Sequence, residues 1–368
     1  MRVKLITFGC SANQADSELM AGILVKAGHK IVNNKPNAYL INTCTVKNHT
    51  EAKIKRLLKS LKGQRVIVAG CMVNANPELK TLFPKYSFIG VNDCNQVLEA
   101  LNGESFITDE RTNKLCQPKL RQDELVDIIQ LSMGCLGQCA YCKTKQAKGQ
   151  LSSYPKELII KQAKQALIEG VKELWLTSQD CACYGFDLGT NLVELINELV
   201  QLPYEFKVRV GMMNPKHAIK LKGLPELFTN KKIYKFAHLP VQSGSDKVLC
   251  DMNRGYTVSD FKQLINNLRR VVPDINVSTD IICGYPTETE SDWAKTVSLM
   301  QWLRPGFLNI SMFTPRQGTP ASQLKQLPPG LAKERSRELT RLFNDFCYRP
   351  PITRTWVTGR TDYYKLDK

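Results

Sequence analysis

Apolar positions come in two registers along the first hundred residues. Short alternating or continuous apolar runs, "RVKLITFG", "AYLINTCTV" and "RVIVAGCMV", predict strands. Between them, "QADSELMAGILVKAGH" and "TEAKIKRLLKSLK" repeat their apolar residues at helical spacing and predict two helices, the second strongly basic. Strand, helix and strand at these lengths predict a doubly wound parallel sheet with function at its strand ends. Cys10, Cys44 and Cys71 each fall just after one of the three strands. Strand ends of one sense share one edge of a parallel sheet, so three cysteines distant in sequence are expected on that edge; three small buried residues are the plainer alternative.

Residues 113–125, "NKLCQPKLRQDEL", read as a polar linker. A second α/β region follows, with strands predicted in "VDIIQLSMG", "ELWLTSQD", "KVRVGMM", "KFAHLPV", "INVSTDIICG" and "FLNISMFT". Helical patterns such as "PKELIIKQAKQALIEG", "VSDFKQLINNLRRVV" and "ESDWAKTVSLMQWL" lie between them. Six strand–helix units predict a barrel or an open part of one. The expected division is 1–112, 113–125, 126–343 and a short tail at 344–368.

Composition narrows the setting. The 368 residues include 13 cysteines, an odd number, and carry a formal net charge of +17. No segment approaches the ~20 apolar residues that span a bilayer, and the start of the chain lacks a secretory pattern, so a cytoplasmic protein is expected. In that reducing setting cysteines argue for metal or catalytic work rather than a disulfide framework. The positive charge points to an acidic partner, nucleic acid above all.

The sharpest local signal is "CLGQCAYC", which spaces Cys135, Cys139 and Cys142 as C-x3-C-x2-C. A closed structural zinc site wants four ligands, and the four histidines, His29, His49, His217 and His238, are remote in sequence. A [4Fe-4S] cluster on three cysteines keeps one iron open for a substrate or cofactor.

This motif resembles the signature of the radical S-adenosylmethionine enzymes. "TFGCSANQADSE", "INTCTVKNHTE" and "VAGCM", with "HLPVQSGSDKVLCDMNRGYT", "STDIICGYPTETESDW" and "FTPRQGTPA", are similar to the methylthiotransferases from about residue 3 to about residue 343. "TSQDCACYG" and "GRTDYYK" look most like the archaeal and eukaryotic branch that acts on threonylcarbamoyladenosine beside the tRNA anticodon. The resemblance implies a partial (β/α)6 radical domain behind the amino-terminal domain. It implies two [4Fe-4S] clusters, one on Cys135, Cys139 and Cys142, the other on Cys10, Cys44 and Cys71. S-adenosyl-L-methionine would chelate the open iron of the first and yield a 5′-deoxyadenosyl radical; the second would present the sulfur. The implied reaction is insertion of sulfur, and its methylation, at carbon 2 of N6-threonylcarbamoyladenosine. The implied partners are a tRNA anticodon stem-loop and unidentified electron and sulfur donors.

Further residues carry over by the same likeness. Tyr141 matches an aromatic near the adenine, and Gln179, Arg209, Gln242, Ser243 and Asp280 are expected in the cofactor pocket. Lys145 and Lys148, with Lys53, Lys55, Arg56, Lys59 and Lys62, are expected to meet RNA phosphates. The remaining cysteines match no ligand position, although Cys181 and Cys183 fall near the supposed pocket. Two departures stand out: Lys148 occupies a usual arginine position, and only a remnant of the family's carboxy-terminal RNA-binding TRAM-like barrel follows residue 343. Methylthiolation of a ribosomal protein, or an iron–sulfur RNA-binding protein that no longer turns over, are the alternative functions.

Overall fold

A computed structural model describes residues 1–46 and 48–346. The amino-terminal region runs β1 (Arg2–Thr7), α1 (Ser11–Lys26), β2 (Lys30–Ile31), β3 (Ala38–Thr43), α2 (Asn48–Ser60), β4 (Arg65–Gly70), α3 (Cys71–Ala75), α4 (Glu78–Leu82), β5 (Ser87–Ile89) and α5 (Val97–Leu101). Its five strands pair in parallel in the order β2-β1-β3-β4-β5. β1, β3 and β4, which precede the three early cysteines, are therefore adjacent. Both sheet faces are covered, one by Leu19, Met20 and Leu24 of α1 with Val97 and Leu101 of α5, the other by Ile54 and Leu58 of α2. Double coverage is why these strands read as continuous apolar runs.

The second region begins with β6 (Val126–Gln130), β7 (Ser132–Met133), α6 (Thr144–Lys148), β8 (Ser152–Ser153), α7 (Lys156–Ile168), β9 (Glu173–Thr177), α8 (Leu192–Leu199) and β10 (Lys207–Val210). It continues through α9 (Pro215–Ala218), α10 (Leu224–Leu227), β11 (Phe236–His238), α11 (Asp246–Asp251), α12 (Val258–Val271), β12 (Asn276–Cys283), α13 (Glu290–Leu303), β13 (Phe307–Met312) and α14 (Pro329–Asp345). All six predicted long-range strands form. They pair as two parallel three-stranded sheets, β6-β9-β10 and β11-β12-β13, and β10 packs beside β11. The predicted first strand "VDIIQLSMG" is broken: β6 ends at Gln130, and Ser132–Met133 turns into an antiparallel pair with β8. α12 and α13 each open on a capping box, Thr257 with Asp260 and Thr289 with Asp292. Of the expected TRAM-like tail at 344–368, residues 344–345 end α14, and 347–368 lie outside the described residues.

Residues 113–125 are no free linker. Lys114 and Leu115 are buried, and the segment crosses α1, where Leu120 N donates to the Glu18 carbonyl and Gln122 N to the Glu18 carboxylate. α1 is thus enclosed on two sides, by its own sheet and by β6, against which Ala15 packs through Val126 and Ile128. Gly22 permits the crossing, since a Cβ there would lie 2.4 Å from the Pro118 carbonyl oxygen. Gly22→Ala is expected to destabilise the protein by about 1–3 kcal/mol in urea denaturation, because backbone and not a flexible side chain must move.

Candidate active site

Cys44 directly follows β3, Cys71 follows β4 and opens α3, and Cys10 caps α1 three residues after β1. Asn13 knits the three loops: its Nδ2 donates to the carbonyls of Phe8 (2.9 Å) and Thr43 (2.7 Å), and its Oδ1 accepts from Cys71 Sγ at 3.5 Å. Gly9, at φ +113°, brings the Cys10 loop against Cys44; a Cβ at Gly9 would sit 3.0 Å from Cys44 Cβ and 3.2 Å from its sulfur. Burial, with Cys71 and Cys10 close by, pushes the Cys44 thiol up to about 12, and burial raises Cys71 as well. Cys10 is exposed while its two companions are buried, so the trio opens outward on one side.

Cys135, Cys139 and Cys142 lie on the loop between β7 and α6. Gly137 N donates to Cys135 Sγ at 3.1 Å, and Cys142 N to the Cys139 carbonyl at 3.0 Å. The sulfurs of Cys135 and Cys139 both flank Gly137, 3.3 and 3.8 Å from where a Cβ would stand. Lys145 Nζ donates to the Cys135 carbonyl and, at 2.8 Å, to Gln150 Oε1, tying the loop down. Burial and the neighbouring Cys139 raise the Cys142 thiol, whereas a hydrogen bond from Cys183 pulls Cys135 down to about 7. Among the described residues, the one set of possible ligand atoms that all lie within 4.8 Å of one another is Cys135, Asp180 and Cys183. Neither cysteine trio is that tight.

The predicted pocket residues separate into two groups. Arg209 on β10 is buried with its guanidinium over Trp175 (5.3 Å) and Phe236 (5.7 Å), and burial lowers its pKa to about 10. Arg209 Nε, Gln179 Oε1 after β9 and Ser278 Oγ on β12 are buried without a hydrogen-bond partner among the described residues. Orphaned buried polar atoms are costly, and a polar cofactor that satisfies them fits this lining. Gln242 holds φ +77°, outside the usual range for its type, and its backbone bridges to Asp280 and Ile282. Asp280 pairs with His238 Nε2 (3.1 Å) and accepts from Asn309 Nδ2 (2.7 Å). Ser243 turns away: it is fully buried, 3.4 Å from Thr296 Oγ1 of α13, and accepts from Ser245 N. Tyr141 packs with Ala140, Val248, Met252 and Tyr285 beside the cysteine loop.

Comparison with known proteins agrees with this geometry. The uncharacterized protein family UPF0004 matches residues 2–90 and the radical SAM superfamily matches residues 129–300. A probable threonylcarbamoyladenosine tRNA methylthiotransferase of Pyrococcus abyssi is 41% identical over 93% of this chain and 84% of its own length. The chain belongs to the radical S-adenosylmethionine methylthiotransferase family, in its threonylcarbamoyladenosine tRNA branch. The Homo sapiens threonylcarbamoyladenosine tRNA methylthiotransferase is 39% identical over 94% of this chain, which spans 63% of that relative. Among solved structures, the radical S-adenosylmethionine methyltransferase TsrM of Kitasatospora setae, bound to cobalamin and a [4Fe-4S] cluster, shares the fold at a TM-score of 0.61 and 14% identity, over 87% of this chain and 77% of that one.

In this methylthiotransferase the two cysteine regions are locked together by buried charge. Asp16 of α1 accepts from Lys114 (2.6 Å), Gln130 (2.7 Å) and Lys148 (3.4 Å). Burial alone would raise the Asp16 carboxyl; Lys114 and Lys148 outweigh it and hold it below the usual carboxylate range. α3, which starts at Cys71, packs on α6, which follows Cys142, and Lys143 reaches Asn76 just beyond α3. Arg316, buried before α14, grips the Cys44 loop through Thr45, Asn48 and, at 2.5 Å, Glu51.

These contacts correct the reading of Lys148. It is buried against Asp16, 3% exposed, and cannot reach a phosphate in solvent, whereas half-buried Lys145 is hydrogen-bonded within the cysteine loop. Lys53, Arg56, Lys59 and Lys62 are exposed in and just after α2, and Lys55 pairs with Glu78. Sequence reading assigned no role to Asp16, Asp180, Arg254 and Arg316, although each falls inside a segment quoted for its likeness, and it counted His217, whose Nδ1 lies 2.5 Å from Asp180 Oδ2, only as a histidine remote from the cysteine motif. The further signal for Asp16 was an acid beside an alanine in the middle of a mostly apolar helix.

Asp16→Asn leaves Lys114 and Lys148 as buried cations without a counter-charge, and is expected to cost about 3–5 kcal/mol in denaturant unfolding. A second outcome concerns pH in the metal-free protein. Cys44, Cys94 and Cys181 hold their protons up to about 12 when folded, against about 9 otherwise. The unfolded chain binds fewer protons between these values, so stability present below pH 9 falls as pH rises toward 12. Thermal unfolding of cluster-free protein at pH 8 and pH 10 measures it, and the midpoint is expected to be lower at pH 10.

Proposed function

We propose that this enzyme replaces the hydrogen at carbon 2 of N6-threonylcarbamoyladenosine, next to the anticodon of tRNA, by sulfur and methylates that sulfur. The supporting observation is the pair of three-cysteine sets, each one thiolate short of a closed cluster and both at strand ends that the Asp16 pair holds together. Cys135, Cys139 and Cys142 would hold one [4Fe-4S] cluster, and Cys10, Cys44 and Cys71 a second. Carbon 2 of adenine has an unactivated C–H bond and no good leaving group. Bound together, the first cluster and S-adenosylmethionine supply the radical that such a bond requires.

The chain's own residues bind and orient. Arg209 and Gln179 offer buried polar atoms to the amino-acid and ribose parts of the cofactor, Gln242 and Asp280 line the same strand ends, and Tyr141 offers a ring to the adenine. Apolar packing of Tyr141, Val248 and Tyr285 keeps water from the cysteine loop, which a radical step needs. Exposed Lys53, Arg56, Lys59 and Lys62 supply phosphate contacts without sequence readout. We read residues 1–112 as the sulfur-presenting domain, 113–125 as the linker between the two and 126–343 as the radical domain. The setting is the cytoplasm; no helix among the described residues is long and apolar enough to cross a membrane.

Anaerobic reconstitution tests this directly. Wild type is expected to hold about eight irons and a Cys135→Ala, Cys139→Ala, Cys142→Ala variant about four. Mass spectrometry of tRNA incubated with each should show the 2-methylthio nucleoside with wild type alone. One cluster in the wild type, or zinc, removes the sulfur-insertion reading.

A further inference from the structure

Arg254 is a buried cation for which no carboxylate lies within 4.0 Å among the described residues. Of the other buried arginines and lysines among the described residues, Lys114, Lys143, Lys148, Arg316 and Arg335 have an acid within that distance, and Arg209, stacked on Trp175 and Phe236, does not. Desolvating a guanidinium costs several kcal/mol, and neutral acceptors recover only part of that. A negative group is therefore expected where its remaining donor points.

That donor is Nη1, which lies 3.3 Å from Cys139 Sγ and 3.3 Å from the Tyr141 hydroxyl. The rest of the fork is fixed: Nη2 donates to the Pro240 carbonyl at 2.8 Å and Nε to the Tyr256 hydroxyl at 3.2 Å. Tyr256 in turn donates to the Val241 carbonyl at 2.8 Å. Residues 252–254 clamp the cysteine loop at three successive points. Ala140 N donates to the Met252 carbonyl, Asn253 Nδ2 to the Gln138 carbonyl, and Arg254 to the sulfur between them. Asn253 adopts φ +55° to make this turn. One rigid group thus joins Cys139 to the segment that leads into Gln242.

We propose that Arg254 is a positioning residue that raises the reduction potential of the cluster held by Cys135, Cys139 and Cys142, through its N–H···S contact to Cys139. This rests on the reading of Cys139 as a cluster ligand. Reduction adds one electron, hence one negative charge, to the cluster. A fixed donor and a buried positive charge at a ligand sulfur favour that more negative state. Lysine keeps the charge and loses the fork, so it substitutes only in part.

The test is an EPR-monitored redox titration in full-length protein carrying Cys10→Ala, Cys44→Ala and Cys71→Ala, so that a single cluster is read. Against that background, Arg254→Gln is expected to lower the equilibrium constant for reduction about tenfold, which is about 59 mV for one electron. Arg254→Lys should fall between the two, each variant holding about four irons. Arg254→Gln with four irons and an unchanged potential overturns the inference. Should Arg254→Gln fail to retain iron, Arg254→Lys decides it: a lowered potential supports the role and an unchanged one refutes it. A background protein that binds no iron overturns the ligand reading and this inference with it.

Discussion

The arrangement turns on one carboxylate. Asp16 sits in the middle of α1, fully enclosed, between Lys114 of the linker and Lys148 of the helix that follows the Cys135 loop. Buried ion pairs seldom add net stability, since desolvation cancels much of the attraction. What this one adds is register. It joins the helix that starts at Cys10 to the helix that follows Cys142, and Gln130 at the end of β6 completes the acceptor's shell. Sliding either domain would strand three charges in a dry interior.

Two further bridges act in the same sense. Arg316 brings a late loop onto the residues after Cys44, and Lys143 brings the residue after Cys142 onto the end of α3. All three early cysteine loops are thereby tied to the radical domain. Transfer between two cofactors needs their open faces to meet within narrow tolerance, and side chains locked by buried hydrogen bonds hold such tolerance better than mobile loops do.

Buried positive charge without acid is the complementary theme. Arg209, with its guanidinium over Trp175 and Phe236, and Arg254, aimed at the Cys139 sulfur, are both buried with no acid within 4.0 Å among the described residues. Gln242 at positive φ adds local backbone strain at the same strand ends. The chain holds costs at its site that its own residues do not offset, as a site shaped for resident cofactors would.

Sequence alone determined what depends on neighbours in the chain. Strand and helix periods set both α/β regions, the C-x3-C-x2-C spacing marked the loop at Cys135, and placement after β1, β3 and β4 put Cys10, Cys44 and Cys71 on one edge. Those are short-range facts, readable from period and spacing. Tertiary structure alone decided which charges are buried. Lys148 looked like a phosphate contact because its helix is basic, and only the approach of α1 makes it the partner of an acid 132 residues away. Ser243 was expected in the pocket by likeness, and only the packing shows its hydroxyl 3.4 Å from Thr296 Oγ1 of α13. Residues 113–125 looked like a linker because they are polar, yet their polar groups are satisfied by α1. A side chain's partner across the fold is set by packing between elements distant in sequence, and periodicity along the chain carries no record of it.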